Sequence, residues 1–201
     1  QQNYMTATFQ NDPDKSHGVI LSALNSTPDK IKVLSDVIIP TYNTLNELYD
    51  RGRLGETERT SILTTLTETI ELIKFNSQVE STMQNAHVLF VAGSEDRIVL
   101  AKSGALELKM LGWNSSYIGN VERHIDPFFD IDFQRYVAKI WNNKKGLMII
   151  LIYSSEEGSL RFLSATIKSI KEKLKAEIKM ILLSTPDLLS LSETTGADYV
   201  A

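Results

Sequence analysis

Cysteine is absent from all 201 residues, which excludes disulfides, thiolate metal sites, cysteine nucleophiles and thioether-linked chromophores. Histidine is scarce: His17, His87 and His124 stand in different segments, with no spacing that puts two on one helical face, so no histidine metal site is expected. An excess of basic charge is lacking too. The 21 Lys and Arg are scattered among 25 Asp and Glu for a net charge of -4, so no positive field holds phosphates and direct nucleic-acid binding is not expected. The longest apolar run, Leu147 to Tyr153, is far short of the ~20 residues that span a bilayer, and no charged-then-apolar signal segment opens the chain. The expectation is a cytoplasmic chain without membrane contact. Neither Gly-x-Gly-x-x-Gly nor Gly-Lys-Ser/Thr occurs, and the carboxylates of Gly93-Ser94-Glu95-Asp96 would repel an anion, so nucleotide binding is disfavoured. No initiator methionine precedes Gln1, and the sequence reads as a piece of something longer with an effector domain elsewhere.

What is present, 42% hydrophobic and 23% charged residues, suffices for one large or two small domains. Residues 1 to 13 are polar and read as a loose arm. A short helical pattern covers Lys15 to Leu24. Ser26-Thr27-Pro28-Asp29 then supplies an N-cap, a first-turn proline and an early carboxylate. The helix that follows carries Ile31, Leu34, Val37, Ile38, Leu45 and Leu48 at helical spacing to Tyr49, with Pro40 as a kink. Thr57 is placed to cap another helix, with Ile62, Leu63, Leu66, Ile70 and Ile73 on one stripe and Thr and Glu on the other face.

From Ala86 onward short apolar runs alternate with helical segments. Strands are expected at His87 to Val91, Ser115 to Ile118, Leu147 to Tyr153 and Ile178 to Leu183, with Asp198-Tyr199-Val200 opening a fifth; helices are expected over 96–111, 129–143, 157–175 and 187–195. The fold class is therefore an N-terminal helical bundle, residues 14–80, followed by a flavodoxin-like (Rossmann-type) parallel five-stranded α/β domain, residues 86–201. Ligands of such sheets sit beyond the carboxyl ends of the strands, here Ala92 to Asp96, Gly119 to Glu122, Ser154 to Gly158 and Ser184 to Asp187. Several features have plain readings. Lys168 to Lys175 is a solvated helix face, Phe128, Phe129, Phe133 and Tyr136 belong to a core, His87 is a structural strand residue, and Ser154-Ser155-Glu156 caps the next helix instead of forming a nucleophilic triad.

Pro40 followed by Leu48 to Leu54, the loop Ala92 to Val99, Gly112-Trp113, Tyr117-Ile118-Gly119-Asn120 and the closing Gly196-Ala197-Asp198-Tyr199 occur in an order that resembles the cobalamin-binding modules of methionine synthase and of light-responsive MerR-type regulators. The resemblance implies that Tyr49 stands where that family has the tryptophan covering the upper face of the corrin. It also implies departures. The family's Asp-x-His-x-x-Gly falls on Ser94, Asp96 and Val99, so the cobalt-ligating histidine is missing. The family's Glu-His pair falls on Arg59 and Thr60, or on Glu58 and Arg59 with the turn shifted by one residue. Its Gly-Gly after the fourth strand becomes Ser184-Thr185, while the third-strand serine survives as Ser154 or Ser155.

Aspartate is a poor replacement for imidazole on cobalt, and Cβ substituents obstruct the nucleotide tail, so cobalamin is expected to bind weakly if at all. The expectation is a non-catalytic, ligand- or light-responsive sensory module of a transcription regulator, binding another tetrapyrrole such as a bilin or haem and able to form homo-oligomers. The alternatives are a ligand-free dimerisation platform and a corrinoid carrier of a methyltransferase. Candidate contacts are Tyr49, Arg59, Ser94, Asp96, Arg97, Asn120, Arg123, His124, Ser154, Ser184 and Thr185, with no catalytic or metal-ligating residue.

Overall fold

The computed structural model describes residues 1–26, 29–77, 85–119, 121, 129–141, 146–174, 177–183 and 195–200. The chain divides into two units, Gln1–Val79 and Glu80–Ala201. In the first, α1 (Gln2–Phe9), α2 (Pro13–Ser26), the short α3 (Ile31–Val33), α4 (Ile39–Asp50) and α5 (Glu56–Asn76) succeed one another. Residues 2–9, expected in a loose arm, are helical because they bury Tyr4 and Ala7 and because the Tyr4 hydroxyl donates to Thr69 Oγ1 at 2.9 Å. That contact also corrects the expected polar face of α5: Thr65 and Thr69 are buried, their hydroxyls satisfied by the carbonyls of Ser61 and Thr65.

Pro40 has no N–H to return to the preceding turn. The chain meets it with a π-turn over Leu34–Ile38, in which Ile39 N–H reaches Leu34 O. Thr27 and Pro28 lie outside the described residues, but Asp29 Oδ1 accepts from Ile31 N as an early carboxylate should. The cap of α5 is Gly55 and not Thr57: the Glu58 carboxylate reaches back to Gly55 N–H at 2.9 Å. Three helices close on left-handed residues, Asn11 after α1, Gly52 after α4 and, in the second unit, Gly112. In each, the next N–H bonds five residues back: Asp12 to Ala7, Arg53 to Leu48, Trp113 to Leu108.

The second unit is a parallel sheet of β1 (Ala86–Ala92), β2 (Asn114–Ile118), β3 (Leu147–Tyr153), β4 (Ile178–Leu183) and β5 (Tyr199–Val200), in the order β2-β1-β3-β4-β5. Its helices are α6 (Ile98–Met110), α7 (Phe129–Ile140) and α8 (Glu157–Leu174). Period-two alternation sends Leu89, Val91, Met148, Ile150 and Ile152 into one core with α7 and α8. Val88, Phe90 and Ala92 go into the other, under α6. Phe129 and Phe133 stack at 5.5 Å in the first of these, as core aromatics. Among the described residues no helix is long and apolar enough to cross a membrane. The expected helix over 187–195 falls outside the described residues except Thr195.

Candidate functional site

From β1 the chain turns outward to β2 through α6, and from β2 it crosses back over β1 to β3, so the direction of winding reverses between β1 and β3. A crevice at such a reversal, beyond the strand carboxyl ends, is where doubly wound sheets take ligands. The residues that flank it here are Gly93 to Arg97, after β1, and Ser154 to Glu156, after β3.

The two loops are bonded to one another. Ser155 N donates to Ser94 Oγ at 3.1 Å, Ser94 Oγ and Ser155 Oγ lie 3.1 Å apart, and Ser155 Oγ donates to Asp96 Oδ1 at 2.9 Å. A hydroxyl has one proton to give. Since Ser155 gives its proton to the carboxylate, Ser94 must be the donor to Ser155, and the chain of bonds runs one way, from Ser94 through Ser155 to Asp96. Asp96 Oδ2 also lies 3.1 Å from Arg97 Nε, an ion pair in which the Nε–H is not aligned for a hydrogen bond to any described residue. Ser94 is buried, while Asp96 and Arg97 stay partly accessible at 16% and 23%.

Ser154, the other serine that the sequence offers, caps the next turn. Its Oγ accepts from Glu156 N at 3.1 Å and holds the turn into α8. It also packs where a Cβ on Gly93 would stand, 2.8 Å from that position, which is why only glycine follows β1. Of the two serines that the sequence offers, Ser155 donates to Asp96. Asn120, Arg123, His124, Ser184 and Thr185 lie outside the described residues.

In the helical unit the structure brings together Tyr49 and Arg59. The Arg59 guanidinium lies over the Tyr49 ring, 4.3 Å from its centroid, and Nη1 is 3.8 Å from Glu56 Oε1. A hydrogen bond from the Tyr49 hydroxyl to Glu56, reinforced by the Glu56 charge, pushes the phenol above its ordinary value. One face of the ring is thus already covered by a cation. Glu56 was not singled out in the sequence; its position three residues before Arg59, in the first turn of the same helix, is the signal that would have found it.

No family model and no curated protein matches the sequence. Among solved structures, the monomethylamine corrinoid protein of Methanosarcina barkeri aligns at TM-score 0.74 and 12% identity over 98% of this chain and 90% of that one. The chain shares that corrinoid protein's fold. Also similar are a chain of the methanol:cobalamin methyltransferase complex of M. barkeri, with TM-score 0.46, 16% identity and 94% of this chain on 69% of that one, and a cobalamin-binding protein of Desulfitobacterium hafniense, with TM-score 0.44, 15% identity and 98% of this chain on 91% of that one. Those two TM-scores are too low to bear on the argument.

Among the described residues no imidazole stands in the loops after β1 and β3 to anchor a cobalamin. Asp96, the residue that the resemblance aligns with the ligating histidine, is a carboxylate bonded to Ser155 and beside Arg97. Val99, which the resemblance aligns with the motif's glycine, is fully buried in α6. Among the described residues no group of three or more His, Asp or Glu is placed to hold a metal ion.

Proposed function

We propose that this chain is a non-catalytic sensory module on a corrinoid-protein fold, which takes a tetrapyrrole such as a bilin or haem through hydrogen bonds and ion pairs without an axial histidine. The observation that carries the reading is the bond network at the β1–β3 reversal, which holds a carboxylate, Asp96, at the residue that the resemblance aligns with the metal ligand. Beside it, Arg97 offers a donor suited to a propionate. The binding chemistry that Asp96 and Arg97 offer supports the regulatory reading.

A second reading, a corrinoid carrier without a protein axial ligand, draws on the fold shared with a corrinoid protein over nearly the whole chain. Titrating the purified protein with hydroxocobalamin, haem and biliverdin, followed by absorption, separates the readings. The proposal expects haem or biliverdin to bind at least about tenfold more tightly than hydroxocobalamin, a difference of ~1.4 kcal/mol. It expects Asp96→His not to restore tight cobalamin binding, because Val99 remains in the core. Tight hydroxocobalamin binding by the natural chain establishes the carrier instead, and a protein that stays colourless with all three is a ligand-free platform.

A further inference from the structure

The direction of the hydrogen bonds at the β1–β3 reversal says what kind of tetrapyrrole the site accepts. Ser94 gives its hydroxyl proton to Ser155, and Ser155 gives its own to Asp96. Ser94 in turn accepts from Ser155 N. Neither serine has a proton left for a ligand, and a carboxylate has none to begin with. Burial holds this arrangement in place, with Ser94 only 2% exposed. The side chains of the relay therefore present acceptors alone.

We infer that the ligand brings its own N–H donors to Asp96, as a linear tetrapyrrole or a metal-free macrocycle does and a metal-centred macrocycle does not. This rests on the tetrapyrrole reading above. In a metal-centred ring the pyrrole nitrogens are deprotonated and bonded to the metal, so the ring itself would bring Asp96 no N–H donor. In a bilin or a free-base porphyrin, inner N–H groups meet a carboxylate in charge-assisted bonds, roughly twice as strong as neutral ones. Ser155 is a positioning residue: its hydroxyl sets which way the carboxylate turns. The adjacent Arg97 keeps the carboxylate's charge compensated while N–H groups approach.

The test titrates the whole chain with biliverdin, protoporphyrin IX and zinc protoporphyrin IX, with absorption and fluorescence as readouts and far-UV circular dichroism as the control on folding. Asp96→Ala, Asp96→Asn and Ser155→Ala are compared with the natural chain. The expected result is that biliverdin, protoporphyrin IX or both bind at least about tenfold more tightly than the zinc form, and that Asp96→Ala removes most of that preference. The two N–H-bearing probes distinguish an open-chain from a cyclic ligand. Ser155→Ala should reduce the preference while leaving the circular dichroism unchanged, a combination that a purely structural serine does not produce. Equal affinity for free-base and zinc porphyrin in the natural chain, or a preference that survives in Asp96→Ala, overturns the inference and leaves the tetrapyrrole reading standing. No binding of any of the three probes overturns both.

Discussion

Asp198 gives the sharpest test of how the sheet closes. Its carboxylate accepts from Met180 N at 2.7 Å and from Lys171 Nζ at 2.7 Å, with Lys179 Nζ at 3.6 Å, while Asp198 N donates to Met180 O at 2.9 Å. One side chain thus seats β5 on β4 and ties both to α8. Asp198→Ala leaves the N–H of Met180, a fully buried residue, without its acceptor, at a cost of ~1.5–3 kcal/mol. The Lys171 pair is about a quarter exposed and adds at most ~1 kcal/mol. The expected loss is therefore about 3 kcal/mol.

Both tryptophans, Trp113 and Trp141, belong to the sheet unit, so their fluorescence in a urea titration reports this unit selectively. At a slope of ~1–2 kcal/mol per molar, the midpoint should fall by ~1.5 M or more. The pH dependence has a definite sign. Burial alone would push the Asp198 carboxyl up, but the bonds from Lys171 and Met180 and the charges of Lys171 and Lys179 outweigh it and hold the group below its ordinary 3.8. Its contribution is complete above that value and is lost as pH falls through the lower folded pKa, so natural chain and variant should converge in acid. A variant within about 0.5 kcal/mol of the natural chain at neutral pH would refute the argument.

Gly112→Ala puts a Cβ on a residue at φ 87, in the cap that ends α6, and should cost about 1 kcal/mol in the same fluorescence assay, whereas no change would mean that the cap is not held as described. His87 is buried in β1, its Nε2 3.0 Å from Ser116 Oγ, and burial pushes its pKa below the ordinary 6.5. The unfolded chain then takes up a proton that the fold refuses, so stability should decline as pH falls below about 6.5, by up to ~1.4 kcal/mol per unit. His87→Gln should flatten that decline between about pH 7.5 and pH 5.5, and equal slopes for the two proteins would contradict it.

The sheet was legible because the apolar runs of β1, β3 and β4, six or seven residues each and cut by helices of plain periodicity, leave few alternatives. The strand order was not legible: the sequence marked four loops at the strand ends, and the reversal that singles out those after β1 and β3 came with the structure. The first helix was not legible. Its only large buried side chain is Tyr4, set among polar residues, and what holds it is a bond to Thr69, sixty-five positions away. Thr65 and Thr69 misled for a related reason, since a threonine that returns its hydroxyl to the carbonyl four residues back hides its polarity and packs like valine. Within the site, Ser154 and Ser155 were indistinguishable in sequence. Which one faces Asp96 depends on the residue at which β3 stops, and a shift of one exchanges the two faces.

A pocket that merely decayed would leave its polar groups stranded, because nothing selects their partners once the ligand is lost. Stranded groups do occur elsewhere in the chain: Ser103 Oγ, Ser164 Oγ and Arg59 Nε are buried and lack a hydrogen-bond partner among the described residues. At the β1–β3 reversal the opposite holds for the serines. The buried Ser94 hydroxyl both gives and receives a bond, and Ser155 passes its proton to a carboxylate that remains partly accessible. The donor without an aligned partner there is Arg97 Nε, beside that carboxylate. An ordered relay that includes a partly accessible carboxylate, with a guanidinium next to it, suits the proposed ligand, which carries both N–H and acidic groups. Under the resemblance, Ser-x-Asp in place of Asp-x-His offers a hydrogen-bond acceptor in place of a metal ligand, and the proposed ligand thereby takes Ser94, Asp96 and Ser155 as one set.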